Sequence, residues 1–361
     1  MPRKIRTSQG NSLYIGELAD GCRECMKGAK LVLFITGKCG KGCFYCPISE
    51  TRRNRDTVFA NEAAIEQPDE AIAEARLIDA TGMGITGGEP LNVVEKTVRF
   101  IRAFKEEFGS AFHIHLYTGL EPVLLETVER LIGAGLDELR LHRFTLGADY
   151  TNLRTITKGR IKLGIEIPVI PGMLTQLKTL LRQLEAAGVD FVNLNELEYT
   201  ALNADGLKQH GLLFDSDSIA SVQGSEAEAI ELLEWAATET ALNIHYCPLA
   251  LKDGAQLRNR FLRRAKNVAQ SFERITEEGL LVKGVIKPGP GTSLDETVKI
   301  VMRISGISKE DLGLNEKRGQ VETTTGLVQQ FAEQLKAKGF SVGIAEEYPI
   351  ASRFQVSFTP L

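Results

Sequence analysis

Between residue 30 and about residue 200, short apolar runs alternate with longer stretches of helical period. The runs "KLVLFITG" (30–37), "GMGITGG" (82–88), "HIHLYTG" (113–119), "ELRLHRF" (138–144), "IEIPVIP" (165–171) and "FVNLNELE" (191–198) read as strands. Amphipathic helices lie between them. In "VVEKTVRFIRAFKEEFG", Val94, Val98, Ile101 and Phe104 fall on one face. "PVLLETVERLIGAG" and "TQLKTLLRQLEAAG" each end at a glycine, a common helix stop. Six such β-α units in series predict an α/β fold, a parallel sheet covered by helices. The sheet either closes into a barrel or stays open, and periodicity alone does not decide. In both cases functional groups gather at the C-terminal ends of the strands.

Beyond residue 200 the regularity weakens. "NADGLKQHGLLFDSDSIASVQGS" is rich in turn formers and reads mostly as loop. "SEAEAIELLEWAATET" reads as a helix capped by Ser225. A short strand "NIHY" runs into Cys247, and "GAQLRNRFLRRAKNVAQ" is a basic amphipathic helix. From about 275 a small α/β unit is expected, with strands near 280–286, 340–346 and 353–358 and helices near 294–304 and 325–338. The domain division read from this is 1–28, 29–240, 241–274 and 275–361.

The chain has 361 residues, a net charge of −4 and the composition of an ordinary soluble globular protein. No global basic field draws it to nucleic acid or membrane. The basic N-terminus "MPRKIRTSQG" has no apolar stretch behind it, so no signal peptide is expected. No apolar run approaches the length of a membrane span. The expected location is the cytoplasm, where thiols stay reduced and clustered cysteines bind metal more often than they form disulfides.

The six cysteines, Cys22, Cys25, Cys39, Cys43, Cys46 and Cys247, can be partitioned in two ways. "CREC" and "CFYC" give C-x2-C-x17-C-x2-C, a zinc-ribbon spacing, but leave Cys39 idle. Cys39, Cys43 and Cys46 alone give C-x3-C-x2-C at the C-terminal end of the first strand, with Gly40 and Gly42 letting the backbone wrap a bulky ligand. Iron–sulfur clusters normally take four thiolates. Three leave one metal position open, as a catalytic centre requires.

That second pattern, followed by "ITGGEPL" (85–91) after the second strand and "EIPVIPG" (166–172) on the fifth, resembles the radical S-adenosylmethionine (radical SAM) enzymes, in the branch of activating enzymes. The resemblance covers residues 28–200 and implies a partial (β/α)6 TIM-like barrel with a small α/β domain after it. It implies that Cys39, Cys43 and Cys46 ligate a [4Fe-4S] cluster whose fourth iron is chelated by S-adenosylmethionine. Tyr45 would lie near the adenine, and Gly87, Gly88 and Glu89 would meet the methionine amino group. "EIPVIPG" would lie near the adenine too. An ammonium wants an acceptor such as Glu89, and paired glycines allow close backbone approach. The implied activity is reductive cleavage of S-adenosylmethionine to a 5′-deoxyadenosyl radical, fed by a one-electron donor of ferredoxin or flavodoxin type.

Cys22, Cys25 and Cys247 remain. His245 precedes Cys247 by two residues, so both side chains share one face of a strand. Cys22, Cys25, His245 and Cys247 are candidates for a second site, zinc or an auxiliary iron–sulfur cluster. If the chain enters the barrel from below, that site is remote from the first cluster. If residues 1–28 fold over the top, it approaches the substrate. Glu138, Arg140 and His142 alternate along the fourth strand, and His142 is a pocket candidate, as are Asn195, Glu196 and Thr118 by position. His113 and His115 also fall on strand-like segments. Lys252, Arg258, Arg260, Arg263, Arg264 and Lys266 make a basic edge opposite Leu257, Phe261, Ala265 and Val268. The edge is either a solvated face or a phosphate contact. Three functions follow: a radical enzyme modifying RNA, slightly favoured by that edge; an activase or maturase acting on a protein; or a zinc-ribbon binding module without catalysis.

Overall fold

The computed structural model describes residues 2–119, 123–142 and 153–361. Residues 143 and 144 of the fourth predicted strand, and residue 122 at the start of a predicted helix, lie outside the described residues. Chain packing divides into two units, Met1–Leu257 and Arg258–Leu361.

The first unit holds strands β1 (Ile5–Thr7), β2 (Leu13–Ile15), β3 (Lys30–Phe34), β4 (Val58–Ala60), β5 (Ala63–Ile65), β6 (Gly82–Thr86), β7 (His113–Thr118), β8 (Glu138–Leu141), β9 (Lys162–Val169), β10 (Phe191–Glu196) and β11 (Ile244–Cys247). They form one 11-stranded sheet in the order β1-β2-β11-β10-β9-β8-β7-β6-β3-β4-β5. From β3 through β6, β7, β8, β9 and β10 to β11 every pairing is parallel. The six predicted strands are all present. "NIHY", read as part of a connector, is a further parallel strand beside β10. The two edges are antiparallel: β2 pairs with β11, and β4 pairs with β3. The sheet is therefore an open, partial TIM-like barrel.

Helices α1 (Asp20–Met26), α2 (Pro68–Leu77), α3 (Val94–Phe108), α4 (Leu125–Ala134), α5 (Leu153–Thr157), α6 (Leu174–Ala186), α7 (Ala204–Gln209) and α8 (Ser225–Glu239) complete this unit, with a π-helical stretch at Ala250–Leu257. Strand residues alternate between two faces. Leu31, Leu33, Met83, Ile85, Ile114, Leu116, Leu139, Ile165, Ile167, Val192 and Leu194 are fully or nearly fully buried under the helices. Each such side chain contributes about 1.5–3 kcal/mol on burial. The intervening residues face the barrel interior and are largely polar.

Two local expectations need correction. Ser225 is the first helical residue of α8, not its cap, and Gly224 precedes it in the left-handed conformation. The Ser225 hydroxyl instead accepts from the Leu197 amide at 2.9 Å and donates to the Val169 carbonyl at 2.8 Å, tying α8 to β9 and the end of β10. The segment 203–225, read mostly as loop, holds α7 and two isolated bridges, Glu198–Ser221 and Phe214–Val222. Its apolar residues Leu207, Leu212 and Val222 pack with Ile170 and Leu197 as a small separate core. In this turn-rich sequence nothing local separates those three from Leu213, Phe214 and Ile219, which are exposed.

The second unit comprises α9 (Arg258–Val268), β12 (Arg274–Ile275), β13 (Leu281–Lys287), α10 (Leu294–Ser305), β14 (Gly313–Asn315), β15 (Gln320–Thr323), α11 (Thr325–Lys336), β16 (Ser341–Glu347) and β17 (Gln355–Pro360). Its antiparallel sheet runs β14-β15-β13-β16-β17, with β12 on β13. Lys283 is buried at its centre and meets Glu322 and Glu347 at 2.8 Å each. α9 buries Phe261, Arg264 and Ala265. Arg264 donates to the Pro349 carbonyl and Arg258 to the Glu277 carbonyl, so the helix spends cations within its own unit.

Candidate active site

The interior polar residues of the first unit line a cavity of about 730 Å3. Its upper wall is the loop after β3. Cys39, Cys43 and Cys46 all line it, are half-buried and are free thiols. Side chains built at Gly40 or Gly42 would meet nothing within 4 Å, so open space surrounds this part of the loop. The loop is anchored behind the thiols: Asp56 accepts from Thr36 Oγ1 at 2.9 Å, Lys96 Nζ at 2.7 Å and Lys38 Nζ at 3.3 Å. The Lys96 ammonium holds the Asp56 carboxyl down to about 2.

The "GGE" turn after β6 packs under that loop. The Gly88 amide donates to the Thr36 carbonyl at 2.6 Å and the Glu89 amide to the Lys38 carbonyl at 2.9 Å. Gly87 has φ +152, and a Cβ there would stand 2.4 Å from the Thr36 oxygen. A Gly87→Ala variant is expected to lose about 1–3 kcal/mol of stability through backbone strain. It should also weaken S-adenosylmethionine binding, because the turn must back away from the loop. Thermal unfolding and anaerobic equilibrium dialysis check both effects, and wild-type values in both would remove the turn from the argument. Glu89 is buried; Oε1 accepts from the Leu91 amide at 3.0 Å and Thr118 Oγ1 at 2.6 Å, and Oε2 from the Gly119 amide at 2.8 Å. Oε2 therefore retains capacity for one more donor on the cavity side.

Tyr45 and His142 meet across the cavity wall, hydroxyl to Nε2 at 2.9 Å. Burial pushes the Tyr45 phenol up, with Cys43 and Cys46 adding to it. Burial also pushes the His142 imidazole down. Tyr45 packs edge-on against Phe44 at 5.0 Å, and both lie against the Ile170 core. Of "EIPVIPG", only Glu166 lines the cavity; Ile170 supports Tyr45 from behind.

Gly87, Gly88, Glu89, Thr118, His142 and Asn195 all line the cavity. Glu196 does not. It lies on the opposite face of β10, where it accepts from Ser221 and from the Leu249 amide. Period two puts Asn195 and Glu196 on opposite sides, so only one of the pair could reach the site. His113 and Glu138 fall below the cavity, 3.6 Å apart.

Lys30, Tyr117, Arg140, Glu166 and Asn193 complete the interior. Arg140 was read only as sharing a face with His142, Glu166 entered only as part of "EIPVIPG", and Lys30, Tyr117 and Asn193 were missed as site residues. Their signal was a polar residue at the inward phase of an otherwise apolar strand. Arg140 donates to Glu138 and, at 2.9 Å, to Glu166, and reaches the Tyr117 hydroxyl at 3.2 Å. Burial opposes its charge, but Cys22, Glu138, Tyr117 and Glu166 hold its pKa well above the ordinary arginine value. Glu166 also accepts from Asn193 at 2.7 Å and Asn195 at 2.8 Å.

Cys22, Cys25, His245 and Cys247 line the same cavity. Neither anticipated route describes this. Glu24 of α1 accepts from Thr81, just ahead of β6, so α1 sits at the N-terminal strand ends. Cys22 nevertheless reaches Arg140 and Asn193 at 3.4 Å each, in the interior. The chain enters from below, yet its thiols open on the shared space. Burial pushes the Cys247 thiol up to about 12 and the His245 imidazole down to about 3. Among the described residues, no three Cys, His, Asp or Glu side chains already stand around one ion-sized point.

His115 is fully buried beside this network, and both its ring nitrogens lack a partner. Burial, then Arg140 and Lys30, push its pKa well below the ordinary value. A depressed histidine stays neutral in the fold but takes up a proton when unfolded. Stability is thus full above about pH 6.5 and falls as pH drops below that, by up to about 1.4 kcal/mol per pH unit per histidine. Melting temperature is expected to drop from pH 7 to pH 5, less steeply in His115→Gln. Equal slopes in both proteins would exclude His115 as the cause.

Two comparisons bear on this site. The family described as "Radical SAM superfamily" matches residues 33–163, the span from β3 to β9 that carries the three cysteines and the GGE turn. A protein of Methanocaldococcus jannaschii, provisionally named a glycyl-radical enzyme activating enzyme, is 38% identical over 359 residues, covering 96% of this chain and 93% of its own. The chain belongs to the radical SAM superfamily. As a radical SAM enzyme it uses a [4Fe-4S] cluster and S-adenosylmethionine. Residues 279–361 match a family described only as "Domain of unknown function (DUF8061)". Among solved structures, SuiB of Streptococcus suis bound to S-adenosylmethionine aligns with TM-score 0.44 at 12% identity, covering 61% of this chain and 50% of its own. The coproporphyrinogen III oxidase HemN of Escherichia coli aligns with TM-score 0.37 at 11% identity, covering 62% and 56%. The chain thus spans about half the length of these solved structures. Among the described residues no helix is long and apolar enough to cross a membrane.

Proposed function

We propose that this radical SAM enzyme is an activase that generates a radical on a protein partner, with Cys39, Cys43 and Cys46 holding its cluster. The observation that carries the protein-substrate reading is the name of the relative that is 38% identical over 96% of the chain. The thiols fit the group: three free cysteines on one cavity wall, with open space at Gly40 and Gly42. When bound, the cluster supplies the electron that opens the sulfonium of S-adenosylmethionine. The chain's residues bind and orient. Glu89 is fixed by three donors and offers Oε2 to the cosubstrate ammonium. Gly87 and Gly88 allow close approach of that group, and Thr118 holds Glu89 in place. Tyr45, braced by His142, offers a ring beside the loop for the adenine. Asn195, held through Glu166, faces the same space. A ferredoxin- or flavodoxin-type protein would deliver the electron.

The RNA reading lacks comparable support. Two cations of its basic helix, Arg258 and Arg264, are bound to carbonyls of their own unit. The zinc-ribbon module is set aside with the family assignment, since that reading left Cys39 idle.

The test is anaerobic incubation of the reconstituted enzyme with S-adenosylmethionine, a low-potential reductant and cell extract. The expected result is 5′-deoxyadenosine together with a protein-borne carbon radical in the electron paramagnetic resonance spectrum. Cosubstrate cleavage without a protein radical, but stimulated by total RNA, would overturn the activase reading.

A further inference from the structure

The second group of thiols is not absorbed by that function. Cys22 and Cys25 stand three residues apart on α1, so they share a face of the helix. His245 and Cys247 stand two apart on β11, beside Asn193 and Asn195 of β10. Two elements far apart in sequence thus present three thiols and an imidazole to one space. All three thiols are free. Cys22 Sγ lies 3.4 Å from both Arg140 Nη2 and Asn193 Nδ2 and 3.7 Å from Asn193 Oδ1, inside the cavity.

His245 is the decisive group. It is 4% exposed, faces the cavity, and neither ring nitrogen has a hydrogen-bond partner. A buried imidazole with no partner at either nitrogen is left with an uncompensated desolvation cost. A bound metal would offset it at one nitrogen.

We propose that Cys22, Cys25, His245 and Cys247 hold a second, thiolate-ligated metal centre inside the barrel, facing the cavity that Cys39, Cys43 and Cys46 also line. Three sulfurs and one nitrogen suit zinc or an iron–sulfur cluster and disfavour hard cations. Ligation by all four requires side-chain rotation toward a common centre, because no three stand around one point. Cys22 and Cys25 approach the cavity from α1 at the N-terminal strand ends, and Cys247 from the C-terminal end of β11.

The proposal rests on Cys39, Cys43 and Cys46 holding the first cluster, and loss of 5′-deoxyadenosine formation in their alanine variants checks that reading separately. The protein is reconstituted anaerobically with iron and sulfide, or expressed with zinc, and its metal and sulfide content is measured. The combined variant Cys39→Ala, Cys43→Ala and Cys46→Ala is expected to keep about one zinc per chain, or iron with matching sulfide and a brown colour. Adding Cys22→Ser, Cys25→Ser and Cys247→Ser should remove it. In the wild-type background those three serines should lower total metal yet leave about four irons per chain. His245→Gln should change the spectrum of a bound iron cluster, or loosen zinc by more than the about 10–100-fold that losing a group behind a ligand costs. A triple-alanine variant that melts like wild type and binds no metal would overturn the proposal. If that variant misfolds, the serine variant decides alone: metal content equal to wild type overturns it.

Discussion

Replacing Cys43 by alanine is expected to abolish reductive cleavage of S-adenosylmethionine, lowering 5′-deoxyadenosine formation at least about 1,000-fold, roughly 4 kcal/mol of barrier. Cys43 is the middle of three thiols presented by one loop, and two thiolates cannot hold a cluster that three already leave one ligand short. The loop itself should survive. Its anchors are Asp56, Thr36 and Lys96, none of which touches the thiols, and Cys43 is only half-buried. The apoprotein melt should therefore stay within about 2 °C of wild type, since no core methylene or buried ion pair is lost. Anaerobic chromatography for 5′-deoxyadenosine and the absorbance near 400 nm read the outcome. Undiminished 5′-deoxyadenosine would mean that the cluster is held elsewhere. Cys39→Ala and Cys46→Ala should behave alike; a difference between them would show that one thiol is dispensable.

Much of this site was legible because strand alternation and loop position are local signals. The six apolar runs recur as β3 and β6 to β10, and the polar residues at their C-terminal ends line the cavity. What the sequence did not show depends on long-range pairing. β1 and β2 are three residues each, too short for a periodic signal, and they exist because β11 offers an edge. That pairing carries the N-terminal segment to the sheet, and α1 then turns Cys22 into the interior. Glu166 was hidden for another reason. Alone, a carboxylate in "IEIPVIP" looks like a misplaced charge, and partners from other strands, Arg140 with Asn193 and Asn195, make its burial tolerable. The Ser225 assignment failed similarly, because partners on β9 and after β10 claimed a hydroxyl that local chemistry would have placed at a helix cap.

Arg140 carries the second large expected effect. Its guanidinium is 2% exposed and is shared between Glu138, at 0% exposure, and Glu166, at 5%. Truncation by Arg140→Ala leaves two buried carboxylates without a cation. Removing one partner of a buried pair costs about 3–5 kcal/mol, because the remaining charge is neither solvated nor paired. For a unit of this size each kcal/mol lowers the melting temperature by about 2–4 °C, so a drop on the order of 10 °C is expected. Glu166 also orders Asn193 and Asn195 in the cavity wall, so the loss should reach the site as well as the fold. The pH dependence separates this account from a simple packing defect. In the variant the stranded carboxyls take up protons more readily when folded than when unfolded. The destabilisation should therefore shrink as pH falls from 7 toward 5, opposite in sign to the histidine effect. Arg140→Lys keeps one charge but not the fork that reaches two carboxylates, and should recover only part of the loss. Melting curves of wild type, Arg140→Ala and Arg140→Lys at pH 5 and pH 7 test the argument. A deficit in Arg140→Ala that is the same at both pH values would assign the effect to lost packing against Tyr117 and Phe191, over whose rings the guanidinium lies at 5.3 and 5.2 Å.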